Sequence, residues 1–494
     1  MPQRSLLVLD EGTTSTRAIL YSRTGETLGI CQAELTQYYP QPGRVEHDAA
    51  EIWTKTLDCA RTVIERAGSA DGIAAIGITN QRETVVAWDR ETGEPVCRAI
   101  VWQDRRTADR CRELALAGHE AMIRDKTGLV LDPYFSATKM RWILDNVPDA
   151  RALGDRLAMG TIESWLVWKL TGGLHISDAS NASRTMLMAL DGHDWDDNLL
   201  ALHGVPRNCL PEIADNSGLF GNALPEWLGA PVPVCGLAGD QQSAMIGQNC
   251  IAPGDVKLTL GTGAFVLAST GTRLPHSDHR LLGTVIAQTG GVRSYALEGS
   301  IFAAGSLVKW LRDELCMIGT SGETESLARS VPDNGGVCMI PALSGLGAPY
   351  WRPEARGMID GLTHGTSRAH IVRATLETIA HQMHDLQTAY QRDGSQWQTL
   401  RIDGGMSANE WIVQDLADIL DLPVERPHDV ETTALGAAML ASVGCGMHGT
   451  IAEAAVMRPD IARFTPQMAP SRRAERLSRW HRMLAEHLGI DDLP

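Results

Sequence analysis

An α/β chain of at least two domains is what this sequence predicts, on three observations. Strand-like and helix-like segments alternate along most of its length, the pattern of α/β layers. Its 494 residues, 44% of them apolar, exceed what a single core usually organises. A strand–turn–strand near the start, LLVLDEGTTSTRAILY, has a counterpart far downstream in VKLTLGTGAFVLAST, and the second half repeats the plan of the first.

The elements follow in order. The first hairpin covers residues 6–21. A helix is expected over 49–67, with Asp48 at its N-cap, Glu51 at N3, an apolar face of Trp53, Leu57, Ala60 and Ile64, and Gly68 as its stop. Strands are expected over 73–79 and 84–88 around a polar loop, 80–83, and again over 96–102 after the turn ETGEP. Helices follow over 105–117 and 138–146, the second halted before Pro148. Residues 232–248 read as strand, loop and a helix rich in small residues, with a domain boundary near 249–253. The second hairpin starts at Val256. Strands over 292–297, 337–341 and 399–403 alternate with helices from about 302, over 370–388 and over 408–420. The last carries a capping-box pair, Ser407 and Glu410, and a stripe of Ile412, Leu416, Ile419 and Leu420. A tail helix over 471–488 should pack on the body through Leu477, Trp480, Leu484 and Leu488.

Composition narrows the function classes. A formal net charge of −16 opposes a nucleic-acid or anionic-membrane partner. The apolar run near the start is only about six residues long, short for a signal peptide. No run approaches the ~20 apolar residues of a membrane span, so no membrane insertion is expected. The ten cysteines show neither C-x-x-C nor zinc-type spacing and read as reduced thiols of a cytoplasmic protein.

Chemistry is concentrated in the turns. Asp10, Gly12, Thr13, Thr14, Ser15 and Arg17 crowd the first hairpin, and Gly261, Thr262 and Gly263 tip the second. Such tips present backbone N–H groups and hydroxyls to an anionic phosphate chain. Arg17 adds a fork of donors and Asp10 a hard oxygen for Mg²⁺. Either hairpin alone could be an ordinary turn. Facing each other across a cleft, the two would hold a nucleoside triphosphate. Gly404, Gly405 and Asn409 let backbone approach a flat base or ribose, although a well-capped strand-to-helix turn would look the same.

Asp240, in AGDQQSAM, could be a plain helix N-cap. Beside two phosphate turns it reads instead as the carboxylate that takes the proton of a substrate hydroxyl. Arg82 and Glu83 lie in a loop at a strand end, where α/β sheets place ligands, and their donor and acceptor groups suit a small polyol. An exposed pair would be the ordinary alternative. Trp102, Tyr134 and Phe265 could wall its carbons, though each singly is more often core.

Taken together, these segments resemble the FGGY carbohydrate kinases from residue 7 to about 441, and among them most closely the members that act on glycerol. The family's two signature regions resemble YFSATKMRWILDN and GMIDGLTHGTSRAHIVRATLE, and the glycerol-type segments are GITNQRET, AIVWQDRRTA, TGLVLDPYFS, NASRTML, AGDQQ and SGLGAPYW. The resemblance implies a two-domain, actin-like (ribonuclease H-like) ATPase fold with an interdomain cleft. Its domains would be residues 1–249, with polyol site and phosphate hairpin, and 250–442, with the nucleotide site, followed by a helical tail over 443–494. It implies transfer of the ATP γ-phosphoryl group to glycerol, giving sn-glycerol 3-phosphate. Arg82, Glu83, Tyr134, Asp240 and Gln241 would bind glycerol between Trp102 and Phe265, with Asp240 as general base. Thr13, Thr14, Ser15 and Arg17 would hold the phosphates. Thr262, Gly305, Gly405 and Asn409 would surround the nucleotide, and Asp10 would act on Mg²⁺. A homo-oligomer, dimer or tetramer, is implied as well.

Three positions depart from the family pattern. Glu11 replaces a usual Gln and should point away from the phosphates or touch the metal shell. Lys309 replaces a nucleotide-contacting Gln, so that contact is not carried over. Residues 218–233 lack both the Gly-Lys-rich loop that binds fructose 1,6-bisphosphate and the activating His of some relatives, so neither regulatory mode is expected. Two other functions compete: a kinase of another small polyol or ketose, such as erythritol or dihydroxyacetone, and a non-catalytic actin-like nucleotide binder.

Overall fold

In the computed structural model, residues 4–352, 354–429 and 431–490 are described. Two large mixed sheets carry the chain. The first has six strands, in the order Ser217–Asn222, Pro233–Gly239, Ile73–Asn80, Ser5–Glu11, Ser15–Tyr21 and Thr27–Glu34. Its three middle strands (Pro233–Gly239, Ile73–Asn80 and Ser5–Glu11) run parallel. Ser5–Glu11 is buried along its whole length, which explains why it reads as an apolar run rather than an alternation. The second sheet has seven strands: Leu282–Thr289, Val292–Ile301, Ala264–Gly271, Asp255–Leu260, Thr399–Asp403, Val424–Pro427 and Ile461–Phe464. Each sheet holds an antiparallel hairpin joined edge-on to parallel strands, the repeated plan read from the sequence.

Register sets the site. Glu11, Asn80 and Gly239 stand side by side in the three parallel strands. The chain leaving each strand therefore delivers the Gly12–Ser15 turn, the Arg82–Glu83 loop and Asp240 to one edge of the sheet.

Helices cover the faces. Ala49–Ala67 begins at Asp48, whose carboxylate accepts from Ala50 N and Glu51 N at 2.9 and 3.3 Å, and ends at Gly68 with φ +95°. Several expected bounds shift. The helix expected over 105–117 is Ala108–Leu116, that over 138–146 is Ser136–Asn146, and the strand over 96–102 shrinks to Ala99–Ile100. The expected Ser407–Glu410 capping box is not formed. Gly405–Ala408 makes a tight 3₁₀ turn in which Ser407 Oγ donates to Gly404 O at 2.7 Å. The helix Glu410–Leu420 then starts one residue after its cap, Asn409, which accepts from Ile412 N at 3.2 Å.

A central helix, Thr432–Gly444, was not foreseen. It packs on the first sheet and against the helix Asp240–Gly247, in an apolar cluster that also takes in Leu267, Ile286 and Ala296 of the second sheet. Glycine makes this approach possible: a Cβ on Gly436 would stand 1.8 Å from the Ser243 carbonyl oxygen. The helix Pro470–Leu488 packs as expected, with Trp480 and Leu484 buried. Among the described residues no helix is long and apolar enough to cross a membrane.

Candidate active site

Eight side chains line a small cavity between the two sheets: Thr13, Arg82, Glu83, Trp102, Tyr134, Asp240, Gln241 and Phe265. These are all the residues expected at the polyol site, joined by Thr13 of the phosphate turn. The cavity measures about 70 Å³. Trp102 and Tyr134 meet edge to face at 5.6 Å, and Trp102 Nε1 donates to Thr13 Oγ1 at 2.9 Å. The wall is thus tied to the phosphate turn.

Asp240 is the first residue of its helix, and Gly239 takes the N-cap position without a side-chain bond. The carboxylate accepts from Gln241 N at 2.6 Å and lies 3.4 Å from Arg82 Nε. One-third of it is exposed. Burial of its surroundings raises its pKa, against the pull of Arg82 and Lys257. Lys257, wholly buried, donates to Gln241 Oε1 at 2.7 Å and so leaves the Gln241 amide nitrogen to donate elsewhere.

Arg82 is not free to swing. Its guanidinium binds both oxygens of Glu298, at 2.6 and 3.3 Å, across the boundary between the sheets. Arg184, in the NASRTML segment, donates to Glu83 at 2.7 Å and to the same Glu298 at 3.0 Å. Burial alone would raise the Glu298 pKa, but Arg184 and Arg82 together hold it at about 2. Glu83 sits at φ +62°, a strained conformation for a residue with a side chain. Its carbonyl is held by Ser136 Oγ at 3.1 Å and by Lys139 Nζ at 3.0 Å, and Lys139 also reaches Tyr134 O at 2.6 Å. Burial lowers the Lys139 pKa to about 7. Glu298, Arg184, Lys139 and Lys257 were missed by sequence reasoning. All are buried charges, and a charge inside a strand or helix pattern was the available signal.

The second, larger cavity, about 430 Å³, lies against the second hairpin. Thr262, Gly305, Gly405 and Asn409 line it together, and so does Lys309. A Cβ on Gly305 would meet the Gly261 carbonyl oxygen at 2.5 Å, so this turn needs glycine. Thr262 of the larger cavity and Phe265 of the smaller lie on the same hairpin, which connects the two.

In the first hairpin, Gly12 N donates to Ser15 O at 3.0 Å, and Thr14 O accepts from Leu35 N at 2.9 Å. Arg17, expected to hold phosphate, is here bound to Asp10 and to Glu431 at the start of the central helix. Asp10 is buried, and that burial raises its pKa despite Arg17. Glu11 points away from the turn. Its Oε2 accepts from Thr56 Oγ1 at 2.8 Å, and burial pushes its pKa up to about 8.

Residues 5–247 match the N-terminal domain, and residues 256–445 the C-terminal domain, of the FGGY family of carbohydrate kinases. A glycerol kinase of Dechloromonas aromatica (strain RCB) is 52% identical over 488 residues, 98% of this chain and 97% of its own. The crystal structure of Plasmodium falciparum glycerol kinase with ADP superposes with a TM-score of 0.93 at 34% identity, covering 98% of each chain. That of a ligand-bound xylulose kinase from Lactobacillus acidophilus gives 0.89 at 20% identity over 99% of this chain and 98% of its own, a likeness of fold alone.

Proposed function

The chain belongs to the FGGY family of carbohydrate kinases, and we propose that it transfers the γ-phosphoryl group of ATP to glycerol, giving sn-glycerol 3-phosphate in glycerol catabolism. The fold is the two-domain, actin-like ATPase fold. One observation carries the substrate: a 70 Å³ cavity that gathers the polyol residues around the Asp240 carboxylate.

The reaction needs a positioned hydroxyl, a proton acceptor and compensation of phosphate charge. Arg82, Glu83 and the Gln241 amide supply donors and acceptors to the polyol, while Trp102 and Phe265 face its carbons. Asp240 takes the hydroxyl proton as the oxygen attacks the γ-phosphorus and the bond to the β–γ bridging oxygen breaks, releasing ADP. A pKa raised by burial makes Asp240 the better acceptor. The nucleotide would lie in the larger cavity, with Thr262, Gly305, Gly405 and Asn409 around it. Thr13, Thr14, Ser15 and Arg17 face its phosphates, Arg17 exchanging its carboxylate partners for them. Asp10, buried beside the phosphate turn, offers the hard oxygen that acts on Mg²⁺. When bound, Mg²⁺ would neutralise charge on the β- and γ-phosphates.

Domains of 1–249 and 250–442 with a tail over 443–494, a dimer or tetramer, and a cytoplasmic setting belong to the same proposal. A coupled ADP-release assay across glycerol, dihydroxyacetone and erythritol tests it. Glycerol is expected to give the highest kcat/KM; a preference for the four-carbon polyol would overturn the assignment. Nucleotide binding without polyol-stimulated turnover would favour a non-catalytic binder.

A further inference from the structure

The long helix Arg368–Arg392 and the C-terminal helix Pro470–Leu488 meet through side chains that phosphoryl transfer does not use. His384 and Asp385 come from the first, His481 from the second. One ligand-capable atom from each lies within 4.8 Å of the others, and no other such group of three or more was found among the described residues. His481 Nε2 is 2.7 Å, and His384 Nδ1 3.5 Å, from Asp385 Oδ1. The two imidazole centroids are 6.0 Å apart.

The surroundings favour a bound cation. Asp385 is fully buried, and its other oxygen, Oδ2, accepts from Trp480 Nε1 at 2.5 Å and from the Tyr350 hydroxyl. Those donors fix the carboxylate and leave Oδ1 turned to the imidazoles, as outer hydrogen bonds orient a metal ligand. The His384 Nδ1 atom is buried, and its 3.5 Å approach to Asp385 Oδ1 is too long for a good hydrogen bond. Leaving it so costs free energy, which a lone pair directed at a cation would recover. His384 and His481 stay partly exposed, so solvent reaches the group. The nearby Arg476 is held by Asp415, which offsets its charge.

We propose that His384, Asp385 and His481 form a divalent transition-metal site, of the kind that takes Zn²⁺, clipping the C-terminal helix to the second domain. Two imidazoles and one carboxylate suit zinc better than Mg²⁺ or Ca²⁺, and three protein ligands leave a position for water. With metal–ligand bonds of about 2.0–2.1 Å, tetrahedral ligands stand about 3.4 Å apart. Forming the site therefore opens the 2.7 Å contact by less than an ångström.

Full-length protein, stripped with chelator, would be titrated with Zn²⁺ by calorimetry in excess Mg²⁺. One saturable equivalent and a raised Tm are expected. His384→Gln and His481→Gln should each weaken binding by at least about ten-fold without changing glycerol phosphorylation. Co²⁺ added to the native chain gives a second readout, visible bands of an N/O site. Absence of a saturable equivalent, binding that survives both substitutions, or a thiolate charge-transfer band placing the metal on a cysteine would each overturn the site.

Discussion

Asp240 and Glu11 are carboxyls of opposite use. Asp240 opens on the cavity, and Asp240→Asn keeps its shape while removing the proton acceptor. The expected result is a kcat lower by about 10²–10⁴-fold, with ATP affinity by calorimetry nearly unchanged. A near-normal rate would leave no general base there. Because only the ionised carboxylate accepts a proton and its pKa is raised, the acid limb of kcat should begin above the pH of an ordinary aspartate. Glu11 is buried against Thr56 with a pKa of about 8, against 4.5 for a free side chain, so near neutrality it carries a proton and no charge faces the phosphates. Its folded pKa is the higher one, so its contribution to stability is complete below 4.5 and falls as pH rises toward 8. Glu11→Gln should therefore raise Tm at pH 8, with the gain over the wild type vanishing near pH 4.5. A pH-independent difference would contradict the burial argument.

At the level of elements, the contrast is between an amphipathic helix, which was legible, and a uniformly apolar one, which was not. The helix Ala49–Ala67 declared its cap, its face and its stop. The central helix Thr432–Gly444, ten of whose residues are buried, has no polar face to give a 3.6-residue period, and so it escaped notice. The Ser407–Glu410 pair shows the reverse error: a valid local signal was overridden by the glycine turn just before it. Lys139, Arg184 and Lys257 lie inside segments the sequence singled out, yet they went unread, because each is defined by what it meets in space. Glu298 left no local mark at all: its partners Arg82 and Arg184 lie 216 and 114 residues away. Gly436 carries the contact between the central helix and the one headed by Asp240. Gly436→Ala is expected to destabilise by about 1–3 kcal/mol through overpacking, read as a lower Tm, and to reduce kcat by displacing Asp240. An unchanged Tm would mean that the helices separate without penalty.

Across the whole molecule, the small cavity around Asp240 is finished only when both halves meet. Arg82 and Arg184 belong to the first half and Glu298 to the second, and all three are buried. Removing one partner of such a group leaves uncompensated charge and typically costs about 3–5 kcal/mol. Glu298→Ala should thus raise the glycerol KM far more than the ATP KM, since the two guanidiniums lose their anchor; equal changes in both would point to general unfolding. The central helix has a further consequence, for synthesis. Emerging from the ribosome, the first sheet lacks one covering layer until residue 444 has been made, because Gly77 and Gly236 lie directly beneath Ala437 and Ala441. Residues 1–249 translated alone should aggregate, and supplying 250–494 as a separate polypeptide should bring them into solution. The order of translation is therefore not the order in which this enzyme's layers close.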